Sequence, residues 1–229
     1  MGASLPNPCL CLVTDRRVCP PDELSGRVSA AIAGGVDLVQ LRDKEESGGA
    51  LLELATALAG VTHGSAILLV NERADVAIAG GADGVQLGEA AMPTNFVRPI
   101  LPQGSMIGRS VHSVDSATRA QDSGADFLLV GTMFATRSHP GEEPSGPGLL
   151  DRIRSAGVQS PLLAIGGITA DNVAQVIQAG ADGAAVITAI LASDDPERAA
   201  SRIKSAMHDA VGGIGENRRP GSRYTTSRR

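Results

Sequence analysis

Eight short apolar segments recur along the chain, and their repetition is the strongest constraint on the fold. They lack the alternation of apolar and polar residues that is typical of a strand with one face in water. Such segments, separated by stretches of helical length and pattern, predict a parallel sheet that is covered by helices. The eight segments are Cys9–Thr14, Val36–Arg42, Ala66–Asn71, Gly84–Gly88, Met106–Val111, Phe127–Thr132, Leu162–Gly167 and Gly183–Ala189.

Chain length and a repeated turn favour closing these strands into a single α/β domain, a (β/α)8 TIM barrel. The chain has 229 residues, close to the roughly 250 that are typical of this fold. In four places a glycine ends a helix and an aspartate precedes the next strand, so these aspartates are predicted to be structural and to lie at the bottom of the barrel. They are Asp37, Asp83, Asp126 and Asp182. An open doubly wound sheet is the alternative, but Thr14–Arg17, which follows the first strand, contains no glycine fingerprint.

Composition narrows the class of protein further. Only three Phe, one Tyr and no Trp are present, which predicts an aliphatic core, and the net charge of −5 argues against a nucleic-acid partner. The spacing of Cys9, Cys11 and Cys19 fits neither a zinc site nor a redox motif, so we expect reduced thiols and a cytoplasmic protein. No apolar run approaches the ~18 residues of a membrane span. We predict a barrel domain over residues 1–211 and a disordered basic tail over 212–229, whose net charge is +4.

A glycine pair marks a candidate phosphate site near the seventh strand. Gly166 and Gly167 end that strand, and the eighth strand ends near Ile187 and Thr188. Loops after the last two strands of such barrels commonly bind phosphate, because glycine lets backbone N–H groups approach the anion. The pattern therefore predicts a small phosphorylated ligand.

Polar residues follow the other strands, where the barrel fold places a site. Gln40, Arg42 and Lys44 alternate at the end of the second strand and so share a face, which predicts an anion site. Asn71 and Glu72 end the third strand and have the chemistry to bind a metal or a phosphate. Further candidates are Gln86, Glu89, Arg109, Ser110 and His112.

The longest loop follows the sixth strand and is predicted to act as a lid. It runs over residues 136–148 and contains His139, three prolines and three glycines. His112 and His139 are both candidates for proton transfer near neutral pH, and a hydrogen-bonded support residue is the alternative role for His112.

Seven motifs in order resemble the thiamine-phosphate synthase family, which includes a thiazole tautomerase branch. The resemblance extends from about residue 10 to residue 211, nearly the whole chain. The motifs are Val13–Asp15, Gln40–Lys44, Val70–Ala77, Ala82–Gly88, Ile107–Ser113, Gly131–His139 and Ala164–Ile168.

The resemblance implies a reaction and a division of the site. A synthase of this family joins an aminopyrimidine methyl pyrophosphate to a thiazole phosphate, and releases pyrophosphate with the help of Mg²⁺. It also implies a homodimer. By position, the pyrophosphate would be faced by Gln40, Arg42, Lys44, Asn71 and Ser110, with Arg42, Lys44, Ser110 and His139 as catalytic residues. The thiazole phosphate would be surrounded by Thr136, Ser138, Gly166, Gly167, Ile187 and Thr188.

Several positions depart from the family pattern. The first metal aspartate is Glu72 here, the second falls at Ala91, with Glu89 two residues earlier as the substitute ligand, and the lysine of the long loop is His139. Retention of the basic and amide residues on strands two and three favours the synthase. Three alternatives remain open. The first is a tautomerase-like isomerase, favoured by Ala91, Gln86 and Val111 although Thr132 replaces that branch's histidine. The others are a non-catalytic phosphate-ligand binder and, because a fold alone does not fix function, another phosphate-binding barrel enzyme.

Overall fold

The computed structural model describes residues 5–136 and 143–217, and its strands form a closed parallel barrel in sequence order. Every strand pairs in parallel with the next, and β8 pairs with β1. This confirms the predicted fold class and all eight predicted strands. The strands are β1 Cys9–Val13, β2 Leu38–Leu41, β3 Ile67–Asn71, β4 Gly84–Leu87, β5 Met106–Val111, β6 Phe127–Val130, β7 Leu162–Ile165 and β8 Gly183–Val186.

Helices connect the strands and cover the outer face of the barrel. The long α9 packs against both α1 and α7, so it closes the ring of helices where the first and last units meet. The helices are α1 Pro21–Ala33, α2 Gly48–Thr62, α3 Ala74–Ala79, α4 Thr94–Val97, α5 Val114–Asp122, α6 Gly148–Ser155, α7 Val173–Gln178, α8 Thr188–Leu191 and α9 Pro196–Asn217.

The core has two layers, as expected when strands are buried on both faces. The inner layer fills the barrel and includes Cys9, Cys11 and Phe127, while the outer layer lies between the strands and the helices. Burial raises the pKa of the Cys9 thiol to about 12, so this thiol stays protonated. Cys9, Cys11 and Cys19 are all free and buried, so each packs as a small hydrophobic residue.

The four repeated aspartates lie at the bottom of the barrel, as predicted. Each carboxylate accepts a hydrogen bond from a backbone N–H at the beginning of the strand before it, and so links two neighbouring strands. The bonds join Asp37 to Leu10 (2.7 Å), Asp83 to Leu68 (2.8 Å), Asp126 to Ile107 (2.6 Å) and Asp182 to Leu162 (2.8 Å). Three of the aspartates also form ion pairs: Asp37 with Lys204, Asp126 with Arg98 and Asp182 with Arg154.

The predicted boundary at residue 211 lies inside a helix, which is a correction. Helix α9 continues to Asn217, so residues 212–217 are helical and do not belong to a disordered tail. The preceding turns of α9 are held in place by the buried side chains of Ile203, Met207 and Ala210. Because each residue added to a formed helix makes one more backbone hydrogen bond, the helix continues past residue 211. Residues 218–229 lie outside the described residues. Within the described part of the chain, no helix has the length and apolar character needed to cross a membrane.

Candidate active site at the carboxyl end of the barrel

The opening of the barrel at the carboxyl ends of its strands is here called the mouth. Two side-chain hydrogen bonds near it join neighbouring strands, one between β2 and β3 and one between β4 and β5. Gln40 on β2 donates from Nε2 to Asn71 Oδ1 on β3 at 2.9 Å. Gln86 on β4 donates from Nε2 to Ser110 Oγ on β5 at 3.1 Å. Because Gln40 is only 4% exposed, it acts chiefly as a support for Asn71, whereas the half-buried Asn71 and Ser110 lie nearer to the mouth.

The backbone of Arg42 is held by a residue that the sequence analysis did not single out. Thr14 is 2% exposed, and its Oγ1 accepts a hydrogen bond from the Arg42 N–H at 2.9 Å. The Thr14 N–H in turn donates to the Gln40 carbonyl at 3.0 Å. These bonds fix the end of β2, so the half-buried Arg42 leaves the sheet from a defined position.

The loop after β1 neutralises the acidic residues of the loop after β2. Arg16 pairs with Asp43 at 3.6 Å and with Glu46 at 2.7 Å, and Arg17 pairs with Glu45. Over residues 5–136 and 143–217, neither Arg42 nor Lys44 forms an ion pair with an acidic side chain. Two cations at the end of β2 are therefore available to an anionic ligand.

Glu72 occupies a strained turn directly after β3. Its φ is +60°, the one positive φ of a non-glycine residue among those described. The Arg73 N–H donates to the Asn71 carbonyl at 2.8 Å across it, and the Glu72 N–H donates to the Gln86 carbonyl at 2.9 Å. A non-glycine residue in this region costs about 1–3 kcal/mol, and such residues concentrate at functional sites. The turn leaves the Glu72 side chain exposed at the mouth.

Glu89, the second predicted metal ligand, is hydrogen-bonded at the start of α5. Its Oε2 contacts His112 Nδ1, so His112 is a hydrogen-bonded support residue. Burial raises the pKa of Glu89, but hydrogen bonds from His112 and Ser116 outweigh burial and the net pKa is lowered. The ionised Glu89 would have to give up its contact with His112 to bind a metal ion.

Arg109 fixes the backbone of the loop after β4, a role that the sequence did not reveal. Its guanidinium donates to the carbonyl oxygens of Met92 at 2.7 Å, Glu89 at 3.0 Å and Ala91 at 3.0 Å. Burial lowers the pKa of Arg109, while Glu89 and Glu72 oppose that shift. Position 91 therefore offers neither a side-chain oxygen nor an unpaired backbone carbonyl to a metal ion.

The glycine pair after β7 packs directly on the loop after β6. Gly166 and Gly167 have φ values of +108° and +63°. The Phe134 N–H donates to the Gly166 carbonyl at 3.0 Å. A Cβ at Gly167 would lie 2.6 Å from the Ala135 carbonyl oxygen. Because only glycine combines a positive φ with such a close approach of two loops, both positions of the predicted phosphate site require glycine.

Asn172 holds the far end of the glycine loop. Its Nδ2 donates to the Gly167 carbonyl at 2.9 Å, and its Oδ1 accepts from the Thr169 N–H at 2.8 Å. After β8, the half-buried Ile187 precedes α8 and the exposed Thr188 begins it.

The carboxyl ends of β6, β7 and β8 are neighbours in the barrel. They form the side of the mouth at which the phosphate site is predicted. Thr136, in the loop after β6, is half-buried. Ser138 and His139 lie outside the described residues, as do all of residues 137–142 of the predicted lid.

Fold and site together define a (β/α)8 barrel whose mouth carries unpaired cations on one side and a glycine loop on the other. The family model for thiamine monophosphate synthase matches residues 10–190. A thiamine-phosphate synthase of Methanoculleus marisnigri is 46% identical over 203 residues, 86% of this chain and 94% of that protein. One of Natronomonas pharaonis is 44% identical over 193 residues, 83% of this chain and 88% of that protein. The chain belongs to the thiamine monophosphate synthase family.

Solved structures agree with this assignment. A thiamine phosphate pyrophosphorylase from Pyrococcus furiosus has a TM-score of 0.81 at 35% identity, and the match covers 89% of this chain and 97% of that one. A 3-hexulose-6-phosphate synthase has a TM-score of 0.64 at 23% identity, covering 86% of this chain and 99% of that one. The second similarity shows the fold alone.

Proposed function

We propose that this chain is a thiamine-phosphate synthase, a transferase of thiamine biosynthesis. It joins 4-amino-2-methyl-5-hydroxymethylpyrimidine pyrophosphate to thiazole phosphate and releases pyrophosphate. One observation carries the proposal within the family: a single mouth has two separate features suited to anions, cations and amides at β2–β5 and a glycine loop at β6–β8. Two phosphorylated substrates require two such features.

The β2–β5 side suits the pyrophosphate group of the pyrimidine substrate. In the reaction, the bond from the methylene carbon to the pyrophosphate oxygen breaks, and the oxygen keeps the electron pair. The charge that develops there requires fixed cations and hydrogen-bond donors. Arg42, whose backbone Thr14 holds, and Lys44 supply the charge, and Asn71 and Ser110 supply donors.

The β6–β8 side suits the phosphate of the thiazole. Gly166 and Gly167 let the loop backbone approach the anion, and Thr136, Ser138, Ile187 and Thr188 surround it in this proposal. With its phosphate bound there, the thiazole directs its ring nitrogen toward the centre of the mouth. The nitrogen lone pair forms the new bond to the methylene carbon, and the thiazolium keeps the positive charge. The apolar inner layer below keeps water from the cationic carbon.

Magnesium fits this site through one protein carboxylate. Among the described residues, no group of three or more His, Cys, Asp or Glu side chains is arranged to hold a metal ion. Mg²⁺ is commonly bound by one or two carboxylates together with substrate phosphates and waters. We assign Glu72 as that carboxylate, since its turn leaves it exposed at the mouth, and not Glu89, whose Oε2 contacts His112 Nδ1. Bound Mg²⁺ would neutralise charge on the pyrophosphate.

The proposed activity is tested by incubating the purified protein with both phosphorylated substrates, with and without Mg²⁺. Thiamine phosphate that forms only with Mg²⁺ supports the synthase. If the protein binds thiazole phosphate but forms no product, the synthase proposal is wrong, and thiazole carboxylate phosphate tests the tautomerase alternative. Binding of the phosphate ligand without turnover of either substrate would identify a non-catalytic relative.

Two variants should change magnesium dependence in opposite directions. Glu72→Gln should raise the Mg²⁺ concentration for half-maximal activity by at least roughly tenfold, because it removes a charged ligand at unchanged length. Ala91→Asp should lower it several-fold by restoring a carboxylate to the loop after β4. Titration of the initial rate with Mg²⁺ measures both. Glu53→Gln, at an exposed position on α2, is the matched control. An unchanged Glu72→Gln titration would remove Glu72 from the metal site.

We also propose a cytoplasmic homodimer that acts on small molecules and not on nucleic acid. The net charge of −5 supports the absence of a nucleic-acid partner. Met92, Phe96 and Ile100 lie four residues apart at and beside α4 and are 56%, 64% and 56% exposed, which supports an apolar contact between subunits. The molecular mass in solution tests the oligomeric state.

A further inference from the structure

Gln86 lies inside the barrel just below the mouth, and its hydrogen bonds have a defined direction. The side chain is 1% exposed, and its Nε2 is 3.1 Å from Ser110 Oγ and 3.5 Å from the Leu87 carbonyl oxygen. A carbonyl oxygen only accepts hydrogen bonds, so the amide nitrogen and not the amide oxygen belongs on this side. Gln86 is therefore the donor and Ser110 the acceptor.

The oxygen end of the Gln86 amide lies against Gly108 and Phe127. A Cβ at Gly108 would lie 2.0 Å from Gln86 Oε1 and 2.2 Å from Phe127 Cζ. The amide oxygen thus fills the space that a side chain at position 108 would take, and the buried Phe127 ring lies beside it. The missing side chain of Gly108 and the ring of Phe127 together keep the Gln86 amide in place.

The direction of this bond determines what Ser110 can do. A hydroxyl group has one proton and two lone pairs. Since Ser110 Oγ accepts a hydrogen bond from Gln86, its own proton is directed to a different acceptor. Asn71 follows the same logic, because its Oδ1 accepts from Gln40 and its amide N–H groups are left to donate. Both residues therefore present donors at the mouth, which suits an anion and not a cation.

We propose that Gln86 is a positioning residue that orients the Ser110 hydroxyl as a donor to the pyrophosphate of the pyrimidine substrate. This inference rests on the proposed function and deepens it. Negative charge grows on the pyrophosphate as its bond to carbon breaks, and a donor oriented in advance stabilises that charge without reorganising. Gln86 acts only through Ser110.

The test combines Gln86→Met, which keeps the side-chain length and removes the donor, with Ser110→Ala. Gln86→Met should lower kcat about tenfold while KM for the pyrimidine substrate changes less than about threefold, and Ser110→Ala should lower kcat at least as much. In the Ser110→Ala background, Gln86→Met should have no further effect. Gln86→His, which keeps an N–H donor, should restore most of the activity. Gln175→Met, at an exposed position on α7, is the matched control.

Two results would overturn the inference. In the first, Gln86→Met has the same kcat as the unmodified chain. In the second, Gln86→Met lowers kcat by the same factor when Ser110 is alanine, as expected for a purely structural role. Thermal unfolding of each variant identifies general damage to the barrel. If Gln86→Met is damaged in this way, the kcat of Gln86→His decides whether a donor at position 86 is required.

A second readout separates this inference from the proposed function. Binding of inorganic pyrophosphate, measured by calorimetry, needs no turnover. Gln86→Met should weaken that binding several-fold only when Ser110 is present. If the unmodified protein makes no thiamine phosphate, the proposed function fails. The binding comparison with and without Ser110 still decides whether Gln86 orients the Ser110 hydroxyl. Equal weakening in both backgrounds rejects that role.

Discussion

Gly167→Ala is expected to abolish most binding of thiazole phosphate and to destabilise the barrel. The substitution forces a Cβ onto a residue with φ of +63° and places it 2.6 Å from the Ala135 carbonyl oxygen. The unfavourable backbone conformation alone costs about 1–3 kcal/mol. The clash also pushes the loop after β7 away from the loop after β6. We expect at least roughly tenfold weaker binding, the size of one lost charge-assisted hydrogen bond.

The control for this substitution is Gly49→Ala in the first turn of α2. A Cβ at Gly49 meets nothing within 4 Å, so alanine there should leave stability unchanged or raise it slightly through helix propensity. Calorimetry with thiazole phosphate and urea unfolding measure the two effects. If Gly167→Ala binds thiazole phosphate as tightly as the unmodified chain, the glycine loop is not its phosphate site.

Arg42→Ala is expected to weaken binding of inorganic pyrophosphate by about tenfold to a hundredfold. A charge-assisted hydrogen bond is worth about 1.5–3 kcal/mol. Thr14 holds the backbone of Arg42 at the end of β2, so the guanidinium meets its ligand with little ordering of the main chain. The loss should therefore fall mainly on binding and turnover and leave the unfolding temperature nearly unchanged.

Arg17→Ala is the matched control for Arg42→Ala. Arg17 lies in the neighbouring loop, pairs with Glu45 and is 77% exposed in its side chain, so its removal changes the net charge equally. It should alter pyrophosphate binding less than about threefold, because exposed charges at a distance are screened by salt. Equal effects of the two variants would mean that only the general charge of the mouth matters.

The sequence was sufficient to predict the barrel because each unit carries its own local signals. A glycine that ends a helix, an aspartate and an apolar run recur four times, and all four aspartates are found where this pattern places them. The end of helix α9 was not predicted. The glycine pair at residues 212–213 looks like the start of a tail, yet the helix runs through it to Asn217.

The supporting residues of the site could not be predicted in the same way. Arg109 acts on carbonyl groups of a loop 17 to 20 residues earlier in the chain, and Thr14 acts on Arg42 across 28 residues. Neither spacing forms a periodic pattern, because these contacts depend on how two loops meet after the barrel closes. Glu89 shows the same limit, since its contact with His112 depends on the position of α5.

The aspartate contacts at the bottom of the barrel divide the chain into four similar pieces. Each contact joins an odd-numbered strand to the next even-numbered one, so β1–β2, β3–β4, β5–β6 and β7–β8 are each linked internally. A break in the chain between α2 and β3, with the original ends joined, would leave all four contacts within continuous segments. The side-chain contacts at the bottom of the barrel therefore repeat in two-strand units, and such a circular permutation would cut none of them.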